Sequence, residues 1–230
     1  MPDTQPLSFD EFLIRMREPL TFLRYGDGDW IALLDPMQGA SILNCRRADP
    51  DVAALVADAR SLLRAVRGPL YGMQPLANGM GIRPAIDAWV AANCPDVVWY
   101  NADVLHEANE AGGTRRFVEA LKDVNAVLLG PEYLDPLVNK VKFAARVTIP
   151  HAKGFTKRAE ICDTLLDLQE RLGAITVCAT SFLASKVIGQ TLYPAFAGRS
   201  SFIDCGTMWD PHVGIKSRRY HHRMKSRDLL

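Results

Sequence analysis

Two carboxylates separated by one glycine, in Arg24-Tyr-Gly-Asp-Gly-Asp-Trp30, are the side chains of this sequence best spaced to hold a hard cation. They follow Leu20-Thr-Phe-Leu23, whose aromatic and β-branched character predicts a buried strand. Gly26 and Gly28 then end regular pairing and let backbone come close to a ligand. If the segment stays extended, side chains two apart share a face and Asp27 and Asp29 converge. Oxygen-only ligation of that kind selects magnesium or manganese. On a helix the same two residues point in different directions. The competing reading is an acidic surface turn, because Asp and Gly are turn formers in any case.

Other groups suit an anion. Ala179-Thr-Ser-Phe-Leu-Ala-Ser-Lys186 places Thr180 and Ser181 at a strand-to-helix junction, where free N–H groups and the helix dipole favour phosphate. Lys186 lies one turn inside, and the alternative is a simple Ser or Thr cap. Arg218 and Arg219 can pair bidentately with phosphate oxygens. Beyond Tyr220, residues 221–230 read as an ordinary basic tail with His221 and His222 exposed. Asp204, Asp210 and His106 are the candidate general bases, with His106 set against a plain helix-surface histidine. There is no GxxxxGK[ST] loop and no GxSxG elbow, His106-Glu-Ala-Asn-Glu110 fails HExxH, and Ile31 stands where a dinucleotide fingerprint needs its third glycine.

The elements that must carry these groups alternate. Strand patterns at 97–100, 126–130, 146–149, 175–179 and 201–205 are separated by helical stretches at 115–122, 133–143, 157–172 and 181–193. The first half is less regular, with helices expected near 9–17, 50–66 and 82–92 and strands at 20–24 and near Leu70. Crossovers of this length require a mostly parallel sheet covered on both faces, hence an α/β, Rossmann-like domain with sites beyond the strand carboxyl ends. The chain has 230 residues, 48% hydrophobic, with net charge +1. That size and content suit one domain with a full core, and the near-neutral balance gives no global pull toward nucleic acid or membrane. Five cysteines without a CxxC pair argue against a zinc cluster or a disulfide framework. No apolar run approaches the roughly 18 residues of a membrane span, and the N-terminus lacks a leader pattern. A soluble, cytoplasmic protein is expected.

The motif Arg24-Tyr-Gly-Asp-Gly-Asp-Trp30 resembles the R-[FY]-G-D-G-[ED] signature of glycosyltransferases of the GT-D fold. Asn101-Ala-Asp-Val-Leu-His106, Leu128-Leu-Gly-Pro-Glu-Tyr-Leu134, and Ile203 to Gly214 with Ser217-Arg-Arg-Tyr220 follow in the family's order, so the likeness covers roughly residues 15–220. The resemblance implies a metal-dependent transferase taking a nucleoside diphosphate sugar, a UDP-sugar first among them. Asp27 and Asp29 match the acidic motif, although the family commonly has glutamate at the second position. The chemistry agrees independently of the resemblance: glycosyl transfer from such a donor calls for Mn2+ or Mg2+ as cofactor, and placement and charge put Arg24, Gly26, Gly28, Thr180, Ser181, Lys186, Arg218 and Arg219 around the donor. The acceptor, whether glycan, protein or nucleic acid, is left open. Two other readings stand beside it: a nucleic-acid-associated or DNA-modifying protein using the basic C-terminus, and a catalytically silent interaction module.

Overall fold

The computed structural model describes residues 4–43, 45, 49–74, 81–150 and 153–230. Strands β1 (Thr4–Gln5), β2 (Thr21–Tyr25), β3 (Leu70–Met73), β4 (Trp99–Asn101), β5 (Asn125–Gly130), β6 (Ala145–Thr148), β7 (Ile175–Ala179) and β8 (Ser201–Asp204) form one sheet. Its order is β1-β4-β3-β2-β8-β7-β5-β6, and every pairing is parallel. The chain is therefore α/β with a Rossmann-like layered architecture. The central strands β2, β7 and β8 are buried throughout, as strands covered on both faces must be.

Side chains alternate between two cores with the period of two that a strand imposes. Leu23, Val127 and Leu129 face one core with Trp30, Leu55 and Leu183. Phe22, Leu128 and Ile203 face the other with Phe12, Phe117 and Trp209. The first core packs under helices α2 (Asp27–Leu34), α3 (Pro36–Ile42), α4 (Pro50–Ala65), α5 (Arg83–Asn93), α8 (Arg158–Leu172) and α9 (Phe182–Phe196). The second lies under α1 (Phe9–Arg15), α6 (Val104–Glu110), α7 (Thr114–Ala120) and the C-terminal segment. From β5 the chain runs outward to β6, whereas from β7 it returns through α9 toward the centre at β8. The two crossovers leave in opposite directions, which opens a crevice at the carboxyl ends of β5 and β7.

Two local expectations are corrected. The acidic motif is not extended: Gly26 is the N-cap of α2, and Asp27 and Asp29 occupy its first turn. Turn propensity yields here because Trp30, Ala32 and Leu33 bury the helix against the sheet. The stretch expected as a helix at 133–143 is instead a 3-10 helix at Glu132–Asn139. Pro136 inside it lacks an N–H and clashes with the preceding turn, so an α-helical ladder cannot run through. Gly173 closes α8 at φ 79, where the spacing put a C-terminal glycine.

Helix α9 lies close on the sheet at Gly189, where a Cβ would stand 2.6 Å from Leu23 Cδ2 and 2.8 Å from Phe202 Cδ1. Gly189→Ala gains about 1 kcal/mol of helix propensity but overpacks this contact by about 1–3 kcal/mol. A net loss of stability is expected, read as a lower urea midpoint with an unchanged slope.

Candidate active site

A cavity of about 840 Å³ opens beyond the carboxyl ends of β2, β5, β6, β7 and β8. Its wall includes Gly26 to Asp29 after β2, Pro131 and Tyr133 after β5, Thr180 to Phe182 after β7, and Gly206 and Thr207 after β8. Arg24, Lys186 and Arg218 supply cations, while Ile31, Ile42, Leu55 and Phe155 make an apolar side.

The start of α2 satisfies its own donors. Gly26 N donates to Asp29 Oδ2 at 2.8 Å, Gly28 N to Asp27 Oδ1 at 2.7 Å and Asp27 N to Gln74 Oε1 at 3.1 Å. The start of α9 has no side-chain cap. Thr180 lines the cavity there with a buried hydroxyl that has no hydrogen-bond partner among the described residues. Phe182 takes φ 44, a left-handed conformation costly for an aromatic residue and typical of sites whose surroundings enforce it. Its ring rests on Gly28, where a Cβ would come to 2.9 Å from Cε2. N–H groups uncapped among the described residues can receive an anion, so α9 and not α2 is the helix end with capacity for phosphate.

Asp29 turns inward to a buried cation. Lys186 Nζ lies 3.1 Å from Asp29 Oδ2 and 2.7 Å from Asp204 Oδ2, and it donates to the Phe182 carbonyl at 3.2 Å. All three side chains are 5% exposed or less. Burial raises the Asp29 carboxyl; Lys186 opposes this and the Asp204 charge adds to it. Asp204, the last residue of β8, lies beneath Lys186 and does not line the cavity. Asp27 is half-buried at the cavity wall.

On the other side of the site Arg24 is buried, with Nε on the Ala102 carbonyl at 3.2 Å and Nη2 on Asp103 Oδ1 at 3.0 Å and on His106 Nδ1 at 3.2 Å. Burial pushes Asp103 up, but the Arg24 charge and its bond outweigh it and hold the carboxyl below the usual range. His106 is buried behind Arg24 and not on a helix surface. Burial, then Arg24, lowers it to about 4, against the pull of Asp103. Because a guanidinium only donates, Nδ1 accepts and the ring is neutral with its proton on Nε2.

Asp210 is buried and accepts from the Tyr133 hydroxyl at 3.1 Å and from Ser217 Oγ. Burial raises its carboxyl, opposed by those two bonds and by Arg218. Tyr133 and Thr207 line the cavity; both fall after strands inside the quoted blocks 128–134 and 203–214, but their residue types alone do not mark them as site residues. Arg218 reaches the cavity; Arg219 is exposed and does not line it. The expectation of an exposed His221 is corrected: it is buried, and its Nδ1 accepts from Arg218 N at 3.3 Å. His222 is exposed. The tail packs on the body, with Leu230 N on His212 Nδ1 at 3.1 Å and Arg223 on Glu110 at 2.7 Å.

His212 is buried and neutral in the same way. Nδ1 accepts from Leu230 N, Nε2 lies 2.9 Å from Asn109 Oδ1, and burial lowers the ring to about 4. An unfolded histidine takes up its proton near 6.5. Stability from His106 and His212 is thus complete above that pH and lost as pH falls from about 6.5 toward about 4. Asp29 and Asp210, with raised carboxyls, act in the opposite sense. Comparing wild type with His212→Asn isolates the histidine: its stability advantage at pH 7.5, up to about 3 kcal/mol, is expected to vanish by pH 4 in urea unfolding. A gap independent of pH would show that His212 takes up its proton equally in the folded and the unfolded chain, which overturns the buried neutral ring.

For the divalent cation implied by the resemblance, the donors present among the described residues are the Asp27 carboxylate and the buried Asp29 Oδ1, which has no hydrogen-bond partner there. Among the described residues no three His, Cys, Asp or Glu gather as a metal cage. That set fits magnesium or manganese, which keep waters and take substrate phosphates, and does not fit zinc or an all-protein calcium site. Four of the five cysteines, Cys94, Cys162, Cys178 and Cys205, are buried away from it. Among the described residues no helix is long and apolar enough to cross a membrane. No family model, curated protein or solved structure matches the chain.

Proposed function

We propose that this protein is a glycosyltransferase that moves a sugar from a nucleoside diphosphate sugar, with UDP-sugars as the first donors to test, to an acceptor hydroxyl. The observation that carries the reading is one cavity in which the carboxylates of α2 face the uncapped start of α9 across the Gly28–Phe182 contact. Acids and anion-binding N–H groups side by side suit a diphosphate that arrives with its own cation.

In this reading Asp27 holds the divalent ion, with Asp29 Oδ1 beside it, and the ion supplies Lewis-acid stabilisation of the departing diphosphate. The α9 N–H groups and the hydroxyls of Thr180 and Ser181 bind phosphate oxygens, and Lys186, Arg24 and Arg218 offset the charge that builds during transfer. Asp29 and Asp204 keep Lys186 in place at the cavity wall. Of the three base candidates, Asp210 lies one hydrogen bond from the cavity, through the Tyr133 hydroxyl. The acceptor hydroxyl gives its proton to Tyr133 Oη as the Tyr133 proton passes to Asp210 Oδ1. Burial raises the Asp210 carboxyl and makes it a better base than an exposed one. Asp204, locked under Lys186, and His106, locked behind Arg24, serve to position those cations.

Calorimetric titration with a panel of sugar nucleotides, with and without Mn2+, tests the proposal. At least one donor is expected to bind about tenfold or more tightly with the ion, a difference of about 1.4 kcal/mol. Equal affinity in both conditions, or no binding across the panel, overturns it.

A further inference from the structure

Arg24 has one edge to spare. Its Nε and Nη2 are taken by Ala102, Asp103 and His106, whereas Nη1 makes no hydrogen bond among the described residues. That edge sits between two glycines of the cavity wall: a Cβ on Gly26 would be 3.0 Å from Nη1 and one on Gly206 3.3 Å. Gly206 has a second reason to be glycine, since its φ is +55 and its N–H is tied to Asp204 Oδ1 at 3.1 Å. Gly26 has no backbone reason, for φ −88 and ψ −177 are open to any residue, although a Cβ there would also stand 3.2 Å from Gln74 Oε1. What its missing side chain provides is clearance in front of the guanidinium first and the Gln74 amide second.

We infer that Nη1 of Arg24 is a preset receptor for an oxyanion oxygen, reached through the window between Gly26 and Gly206, and that His106 is a positioning residue that aims it. A guanidinium edge has only donors to offer, and its bonds are strongest to a charged acceptor. His106 can hold Nη2 only while Nδ1 stays an acceptor, which burial and the two arginines facing the ring favour and Asp103 opposes. Arg24 faces it from β2, Asp103 from the segment before α6 at 3.5 Å, Arg218 from the C-terminal segment, and the Tyr220 ring covers it at 5.3 Å. The inference deepens the proposed function and rests on it for the ligand's identity, because a phosphoryl oxygen is the oxyanion a sugar nucleotide brings.

The test uses the full chain and inorganic pyrophosphate, followed by nitrogen NMR of the arginine side chains and by calorimetry. At saturation the Arg24 guanidinium resonances are expected to shift. Gly26→Ala, which fills the window and keeps every charge, is expected to bind pyrophosphate about 10- to 100-fold more weakly. His106→Gln, whose amide oxygen can accept from Nη2, keeps wild-type affinity, and His106→Leu loses it by a similar factor. An Arg24 signal unmoved at saturation, a folded Gly26→Ala that binds like wild type, or no pyrophosphate binding at all overturns the inference. Should Gly26→Ala not fold, the wild-type spectrum decides alone. A shift with pyrophosphate but no binding of any sugar nucleotide leaves the receptor standing and removes glycosyl transfer. A sugar nucleotide that binds without moving Arg24 does the reverse.

Discussion

Lys186→Met is expected to lower folding stability by about 3–5 kcal/mol, the range for removing one partner of a buried ion pair. The substitution leaves Asp29 and Asp204 buried side by side with no ammonium between them, where Lys186 Nζ had been 3.1 and 2.7 Å from their oxygens. Such carboxylates take up protons to relieve the repulsion, so their folded-state affinity for protons exceeds that of the unfolded chain. The deficit must therefore shrink as pH falls. Urea unfolding at pH 7.5 and pH 5, followed by tryptophan fluorescence, measures both effects. The triple variant Lys186→Met, Asp29→Asn, Asp204→Asn removes all three charges and is expected to recover most of the loss. If the single variant unfolds at the wild-type midpoint, the buried ion triad does not hold α9 against β8 and α2.

Asp27→Asn is expected to do the converse, abolishing turnover with little change in the fold. Asp27 stands half-buried on the cavity wall, and its side-chain bond to Gly28 N, the one it makes among the described residues, can be kept by an amide oxygen. What asparagine cannot supply is charge for a divalent ion. Loss of one electrostatic group at a reacting centre costs about 10²–10³ in kcat, and the Mn2+ dependence of donor binding should disappear with it. The unfolding midpoint is expected to stay within about 0.5 kcal/mol of wild type, as for substitutions outside the core. Turnover with any sugar nucleotide at more than a tenth of the wild-type rate would show that Asp27 does not carry the ion. A silent interaction module would show no turnover to lose.

The second half of the chain announces its architecture because strand runs such as Ile175–Ala179 and helix signals such as Gly173 agree with each other locally. Residues 27–42 are harder to read, since Asp-Gly-Asp suggests a turn and Trp-Ile-Ala-Leu-Leu is apolar on every side, leaving no periodicity from which to place α2 and α3. The site was legible as a set of loops after strands, and Asp27, Thr180, Ser181, Lys186, Arg24 and Arg218 do share one cavity. How they pair was not, because Lys186 meets Asp29 only after the sheet has brought β8 beside β2. The surroundings of His106 were hidden for the same reason. Val-Leu-His-Glu-Ala-Asn-Glu reads as a surface helix until the segment carrying Tyr220 folds over it.

The place of β8 in the sheet also governs how the molecule can be made. Thr21 pairs in register with Phe202, and Val177 with the same residue, so the strand nearest the end of the sequence is the keystone between two halves built earlier. A nascent chain emerging from the ribosome holds β2, β3 and β4 on one side and β5, β6 and β7 on the other, each with a raw hydrogen-bonding edge, until residues 201–204 appear. Closure by so distant a partner is slow, and the waiting halves are prone to pair with their neighbours on other chains. Synthesis halted before Ser201 therefore yields sticky fragments instead of a smaller working domain.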